Sequence, residues 1–396
     1  MQVMNILEGI RVLDLGGAQA AYGTKLLSDM GAEVIKVEPP EGSEERRTPP
    51  AAEGRVDSEC SLYFEFYNSN KKLITADIRQ PLGREMIRRL AERSDVLVES
   101  FPVGSMDRWG LGYAELSSRN PGLIYTSVSG FGQSGPRSRF AVTDLVAFAS
   151  GGLMQLSGSP ALPPVKAPGQ QAYDMTGIHA CIGILIALWE REESGQGQFL
   201  DLSIQEVMAA EEHNIAIYSK ERRIVRRVGS QHQVAVPGRI FRCKDGYIHL
   251  FVADASPKAW GSFMEWLNYP EELRDPQWAN GVYRREHPET VDRIVEEFTL
   301  QFTKDEITAE AQRRHIPCVP VNTSLDLIQD AHFAERGFFV SDGEESYLRF
   351  PFLFSEMETL TKSPNIRLGS DNYEVLHGLL GYSEEELAVL SSQRVI

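Results

Sequence analysis

Cysteine is scarce in this chain: four in 396 residues, at Cys60, Cys181, Cys243 and Cys318. They lie far apart, form no C-x-x-C and show no metal-ligand spacing. Neither a disulfide framework nor a metal site is expected, and free thiols in a reducing compartment are. Basic residues are also in deficit. Forty Lys and Arg stand against 56 Asp and Glu, a formal net charge of −16. That excludes nucleic acid or an anionic membrane as the main partner, since both need a surplus of cations on one surface. A few local cations still suffice for a small phosphorylated ligand. No long hydrophobic run occurs. The longest apolar stretch, Ile178 to Trp189, is broken by His179 and Gly183 and falls short of a bilayer span. Residues 1–15 show no basic segment followed by an apolar one, so no export signal is expected and the expected location is the cytoplasm. A G-x-G-x-x-G after the first strand is missing too. The chain reads Leu15-Gly16-Gly17-Ala18-Gln19 there, which leaves a dinucleotide-binding reading weak.

What is present is an ordinary globular composition, 42% hydrophobic and 24% charged, on a chain long enough for two domains. Short β-branched segments alternate with helical ones. Strands are expected at 10–15, 33–37, 73–78, 95–99 and 123–128, and helices at 20–30 and 81–93, the latter with Pro81 at its start. This order implies an α/β fold with a parallel sheet covered on both faces, and a ligand site outside the carboxyl ends of the strands. A strong helix is expected over 178–191, stopped at Gly195, and a second long one from Ser203 to about Arg226. After Gly229 the texture changes. A hairpin over 241–252 turns at Lys244-Asp245-Gly246, and helices follow near 260–267 and 291–297. The expected organisation is a large domain from 1–227, a smaller α+β domain over 228–326, and a return to the large domain over 327–396. The return carries a strand near 347–354 and a final helix over 384–390.

Several phrases occur together and in order: Val12-Leu13-Asp14; Met30-Gly31-Ala32-Glu33-Val34-Ile35-Lys36-Val37-Glu38; Asn68-Ser69-Asn70-Lys71-Lys72; Asp95-Val96-Leu97-Val98-Glu99; Ser129-Gly130-Phe131-Gly132-Gln133-Ser134-Gly135-Pro136; and Ser194-Gly195-Gln196-Gly197-Gln198. Asp245-Gly246-Tyr247-Ile248 and Leu379-Leu380-Gly381-Tyr382-Ser383 follow. As an ordered set they make the chain resemble the family III CoA-transferases, which include formyl-CoA:oxalate and carnitine CoA-transferases and the α-methylacyl-CoA racemases. The resemblance implies a Rossmann-like large domain built from both chain ends, a small domain, and two subunits interlocked as a homodimer. It also implies acyl-CoA and a small carboxylic acid as substrates, with no permanently bound cofactor.

Moving CoA between acids requires that the acyl group stay activated. An enzyme carboxylate can attack the thioester, forming a mixed anhydride and releasing CoA thiolate, in a site that excludes water. By resemblance that carboxylate is Asp174, just before the turn that opens the apolar helix. The family has one more residue between this Asp and the helix body, and a one-residue shift turns a helical side chain by about 100°. An N-cap aspartate with no catalytic part is the other reading of Asp174. Gln19 matches a family glutamine whose amide N–H would face the oxyanion; a solvated loop glutamine is the alternative. For the CoA phosphates the cations are Arg46, Arg47, Lys71, Lys72, Arg108, Arg137 and Arg139, each of which is also readable as a surface charge. Lys71 and Arg108 match family CoA contacts best. The family's Glu-Asn-Phe is here Glu99-Ser100-Phe101, with Phe101 a wall for CoA or simply core.

Two other functions stay open. The family racemase pattern Gly-His-Asp is here Val142-Thr143-Asp144, and threonine cannot move a proton near neutral pH. Asp254 lies near where a racemase acid would fall, without its partner. A CoA-binding homologue without catalysis is the third reading, motivated by the shift at Asp174 and by Ala21-Tyr22 in place of the usual Gly-Pro.

Overall fold

The computed structural model describes residues 5–51, 61–342, 345–357 and 366–396. Cys60 lies outside them. The chain divides into two compact units. One comprises Met1–Met154, Lys166–Ala216 and Glu335–Ile396; the other comprises Gln155–Val165 and Ile217–Ala334. The second unit is wider than the stretch 228–326 expected from the sequence and also takes in Gln155–Val165.

The first unit runs β1 (Arg11–Leu15), α1 (Ala18–Asp29), β2 (Glu33–Glu38), α2 (Leu62–Asn68), β3 (Lys72–Thr75), α3 (Pro81–Ala91), β4 (Val96–Glu99), α4 (Ser105–Arg108), α5 (Tyr113–Arg119), β5 (Ile124–Ser129), α6 (Asp144–Ser150), α7 (Leu153–Leu156), α8 (Gln171–Ser194), β6 (Phe199–Ser203) and α9 (Ile204–Ala210), and α10 (Asn214–Glu221) leads out of it. Six strands form one sheet in the order β3-β2-β1-β4-β5-β6, and every pairing is parallel. β4 and β5 are buried at every position, as a sheet covered on both faces requires. Val12, Val96, Val98, Ile124 and Val128 pack with α1 and α8 on one side. Leu13, Leu97 and Tyr125 pack with α3 and the C-terminal segment on the other. The strand order reverses between β1 and β4, which makes the crevice at their carboxyl ends the natural ligand site.

α8 is longer than the expected 178–191 and ends at Gly195, which takes φ 69° as its left-handed cap. It is the one helix among the described residues long and apolar enough to cross a membrane, correcting the sequence estimate of its length. Half of that stretch is buried, with Cys181, Ile184, Ala187 and Leu188 in the core. α1 crosses α8 at Gly23 and Gly177, where a Cβ on Gly23 would sit 2.6 Å from the Gly177 carbonyl oxygen. Only glycine permits this approach, and it brings the first turns of α8 against α1.

The expected helix from Ser203 does not extend to Arg226. Phe199–Ser203 alternates apolar and polar residues and pairs with β5 as an edge strand. The Ser203 hydroxyl oxygen accepts from Glu206 N–H, so α9 starts there.

In the second unit β7 (Ala235–Cys243), β8 (Gly246–Ala253), α11 (Pro257–Trp266), α12 (Gly281–Glu286), α13 (Pro288–Thr299), α14 (Lys304–Arg313), β9 (Cys318–Pro320), α15 (Ser324–Gln329) and α16 (Ala331–Glu335) follow. β7, β8 and β9 form an antiparallel sheet, packed through Phe241, Ile248, Leu250, Phe263 and Val295. The chain then returns to the first unit. Where a strand was expected at 347–354, an antiparallel pair β10 (Phe339–Asp342) and β11 (Glu345–Leu348) stands instead, and α17 (Glu384–Ser392) closes the chain.

Candidate active site

The turn between β1 and α1 is held from below by buried charge. Asp14 is fully buried. Its Oδ1 accepts from Gly16 N–H at 3.0 Å, and its Oδ2 pairs with Lys71 Nζ at 3.0 Å. Lys71 Nζ also donates to Thr24 Oγ1 and Asn68 Oδ1, at 2.9 and 3.0 Å. Lys36 Nζ lies 3.9 Å from Asp14 Oδ1 and donates to the Gly16 carbonyl. Burial opposes ionisation of Asp14, but Lys36 and Lys71 outweigh it and hold the carboxyl below its ordinary value. Burial draws Lys71 down to about 8, against the pull of Asp14. Lys71 was expected at the CoA phosphates. It is instead sealed inside the protein with its donors used. Arg46 is corrected in the same way. It is 1% exposed, clamps both oxygens of Glu38 at 2.7 Å and lies 4.0 Å over the Phe64 ring. Lys72 is partly exposed and shared between Glu33 and Glu374, at 2.6 and 2.7 Å.

Above the turn lies the crevice. Gly17 is the N-cap of α1 and has no side chain to cap it, so the N–H groups of Ala18 and Gln19 have no partner within the helix. Gly17 N–H donates to Ser100 Oγ at 2.7 Å, and Ser100 Oγ reaches Gln19 Oε1 at 3.4 Å. The structure thus brings Gln19 and Ser100 together across the β1–β4 junction. Phe101 is half-buried and stacks edge-on against Trp109 at 5.1 Å. Arg108, on α4, is exposed and donates to Ser105 Oγ at 2.8 Å. Arg137 and Arg139 are exposed, and Arg47 makes one long contact to the Glu41 carbonyl at 3.5 Å. These arginines remain open to an anion.

Asp174 lies in the first turn of α8, whose N-cap is Gln170; the N-cap reading of Asp174 is therefore wrong. The capping carboxylate is Asp144. Its Oδ1 accepts from the N–H groups of Ala172 and Tyr173 at 2.9 and 3.3 Å, and Lys166 pairs with it at 2.6 Å. Asp174 Oδ1 accepts from the Tyr67 hydroxyl at 2.8 Å, while its other oxygen has no hydrogen-bond partner among the described residues. Tyr63 packs on Tyr67 with ring centres 4.6 Å apart, and Tyr22 meets Tyr67 edge-on at 6.1 Å. The Tyr63 hydroxyl donates to Gln170 Oε1 at 2.6 Å. Burial raises the Asp174 pKa, the Tyr67 bond lowers it and Asp144 raises it, with a net rise. Burial and the nearby carboxylates push Tyr63 and Tyr67 upward, so both stay protonated donors. Sequence reasoning missed these tyrosines. Their i, i+4 spacing on α2 was the available signal.

Glu99 ends β4 and is 4% exposed. It accepts from Ser127 Oγ and from Phe101 N–H at 2.8 Å, beside a cavity of about 300 Å³ that Tyr113, Tyr125 and Phe199 also line. Burial lifts its pKa to about 7, against the two hydrogen bonds. The folded state therefore holds this proton more tightly than the unfolded chain. The associated stability is present below the unfolded value near 4.5 and is lost as pH rises through about 7. Glu99→Gln keeps an acceptor but not the charge. Its stability relative to wild type should rise between pH 4.5 and 7 by at most about 3 kcal/mol and then level off. Denaturant unfolding of both proteins across this range would show a flat difference if the burial assignment is wrong.

The two positions weighed for a racemase are structural. Thr143 caps α6 through Val146 N–H. Asp254 is bound by Arg284 at 3.2 Å, by Arg285 and by Val236 N–H. Among the described residues no cluster of three or more His, Cys, Asp or Glu could hold a metal.

The sequence model of CoA-transferase family III matches residues 7–372, so the chain belongs to that family. It is 32% identical over 98% of its length, and 98% of the relative's, to a succinyl-CoA–D-citramalate CoA-transferase of Chloroflexus aurantiacus. It is 33% identical to a formyl-CoA:oxalate CoA-transferase of Streptomyces avermitilis, covering 98% of this chain and 99% of that one. In structure it is similar to a CaiB/BaiF family protein from Brucella suis, with a TM-score of 0.87, 31% identity, and coverage of 96% of this chain and 100% of that one.

Proposed function

We propose that this protein moves CoA from an acyl-CoA donor to a carboxylic acid acceptor through a mixed anhydride on Asp174. The observation that carries this reading is the asymmetry of its carboxylate: one oxygen held by Tyr67, the other without a hydrogen-bond partner among the described residues, on a half-buried helix turn. The unbonded oxygen attacks the thioester carbonyl; a C–O bond forms, the C–S bond breaks and CoA leaves as thiolate. The thiolate attacks the Asp174 carbonyl of the anhydride and frees the donor acid, leaving an aspartyl thioester. The acceptor carboxylate displaces CoA from it, and the thiolate then takes the acceptor acyl group and restores Asp174. No electron is transferred overall. The Gln19 amide and the free N–H groups at the start of α1 suit the developing oxyanion. Arg108 and Arg137 suit the phosphates, with Ser100 and Phe101 along the CoA arm, whereas Lys72 opens β3 at the sheet edge opposite the crevice and is paired with Glu33 and Glu374.

We also place the enzyme in the cytoplasm, where the free thiols of Cys181, Cys243 and Cys318 are stable, and as a homodimer. The outer face of α8 leaves Ile182, Ile186 and Trp189 at 48, 59 and 76% exposure, apolar surface that a second copy would cover.

The test is chemical trapping. Incubation with acyl-CoA and then hydroxylamine should leave a hydroxamate on Asp174, located by peptide mass mapping. A label elsewhere in an active enzyme overturns the assignment. Binding of CoA with no exchange by wild type would favour the non-catalytic homologue. Tyr67→Phe removes the one bond that lowers the Asp174 pKa. The acidic limb of kcat/KM should then move to higher pH, by up to about one unit. An unmoved limb would mean that Asp174 does not titrate in catalysis.

A further inference from the structure

Glu45 lies on the short 3-10 turn Glu44–Arg47 that follows β2, and nothing derived so far uses it. It is 8% exposed. Its Oε1 is sealed from solvent and has no hydrogen-bond partner among the described residues. Buried acceptors are seldom left unmade, and each one that is calls for a cause: strain, a bound water or ion, or a functional role. The neighbouring cations do not fill the vacant acceptor: Arg46 is spent on Glu38, and Lys36 donates to Gly16.

The direction of the vacant oxygen is fixed by Gly17. A Cβ on that glycine would stand 3.1 Å from Gln19 Oε1, 3.3 Å from Glu45 Oε1 and 3.5 Å from Ser100 Oγ. Three oxygens thus converge over the bare Cα at the start of α1. Ser100 already donates to Gln19, so Gln19 Oε1 and Glu45 Oε1 face this point as two acceptors.

We propose that Glu45 is a ligand-binding residue whose Oε1 accepts a hydrogen bond from an O–H or N–H of the bound thioester. The proposal rests on the reading that CoA thioesters occupy this crevice. The donor group has two sources: a hydroxyl on the acyl chain, or an amide N–H of the pantetheine arm. A second carboxylate at the same point would be repelled.

The experiment is calorimetric binding to the full-length protein, which requires no turnover. The probes are CoA, butyryl-CoA and 3-hydroxybutyryl-CoA, and the proteins are wild type, Glu45→Gln and Glu45→Leu. Neither substitution breaks a side-chain hydrogen bond among the described residues, Glu45→Gln controls for the loss of charge beside Lys36, and thermal melts confirm folding. If the acyl hydroxyl is the donor, wild type prefers 3-hydroxybutyryl-CoA over butyryl-CoA by about tenfold and Glu45→Leu erases the preference. If the pantetheine is the donor, Glu45→Leu weakens all three ligands alike by about tenfold. Glu45→Gln, which keeps an acceptor oxygen, falls between in either case. Three affinities unchanged in Glu45→Leu overturn the proposal and leave the CoA reading standing. A wild type that binds none of the three overturns both. Failure of hydroxamate trapping at Asp174 would remove the anhydride without touching these affinities.

Discussion

Asp174→Asn should lower the rate of CoA exchange by at least about 10³-fold while acyl-CoA affinity stays within about twofold of wild type. The asparagine keeps the size of the side chain and an oxygen that the Tyr67 hydroxyl can still reach, so α2 and α8 lose no contact at this point. What it lacks is an anionic oxygen able to form an anhydride. The loss should therefore fall on kcat, as expected when a group acts only in the reacting complex. Asp174→Glu separates nucleophile from geometry. It retains the carboxylate but moves it by one methylene, past the oxygen–oxygen distance of 2.8 Å to Tyr67. Partial activity from Glu and none from Asn would support the proposed role. Rapid-mix kinetics with equal rates for wild type and Asn would remove Asp174 from the mechanism and direct attention to another carboxylate.

The sheet was legible because its strands are short, rich in β-branched and apolar residues and buried on both faces, so 11–15, 96–99 and 124–129 stand out between the helical stretches. Gly195 was legible because a helix stop needs a left-handed residue. The edge strand Phe199–Ser203 was not, because its half-exposed alternation of five residues is too short to outweigh the helical stretch that follows. In the site, residue type misled where burial decides the role. Lysine and arginine next to a crevice read as phosphate ligands, yet Lys71 and Arg46 face inward because Asp14 and Glu38 are waiting there. The helix cap was misplaced for a related reason. Asp144 reaches α8 from 28 residues away, and no local pattern records a long-range cap. The tyrosines around Asp174 come from α1 and α2, and only the close crossing at Gly23 and Gly177 shows why Tyr22 belongs with them.

The adjacent lysines 71 and 72 should respond very unequally to the same substitution. Lys71→Met leaves Asp14 fully buried, with Lys36 at 3.9 Å as its remaining cation. Breaking a buried pair from one side costs about 3–5 kcal/mol, because the other charge stays out of water without compensation. The melting temperature should fall on the order of 10 °C. Methionine fills most of the volume of the lysine stem, so the loss reports charge rather than a cavity. Lys72→Met removes two ion pairs, but Lys72 is 31% exposed and its partners Glu33 and Glu374 are 32 and 63% exposed. Water and salt already screen both, and the change should be under about 1 kcal/mol. Lys71→Met should also impair binding of CoA, because Asp14 and Lys36 hold Gly16 in place and the Gln19 turn is built on it. Differential scanning calorimetry of the two variants decides the matter. If Lys71→Met melts with wild type and loses only affinity for CoA, the lysine is a phosphate ligand after all, and the buried cluster is not what holds the crevice open.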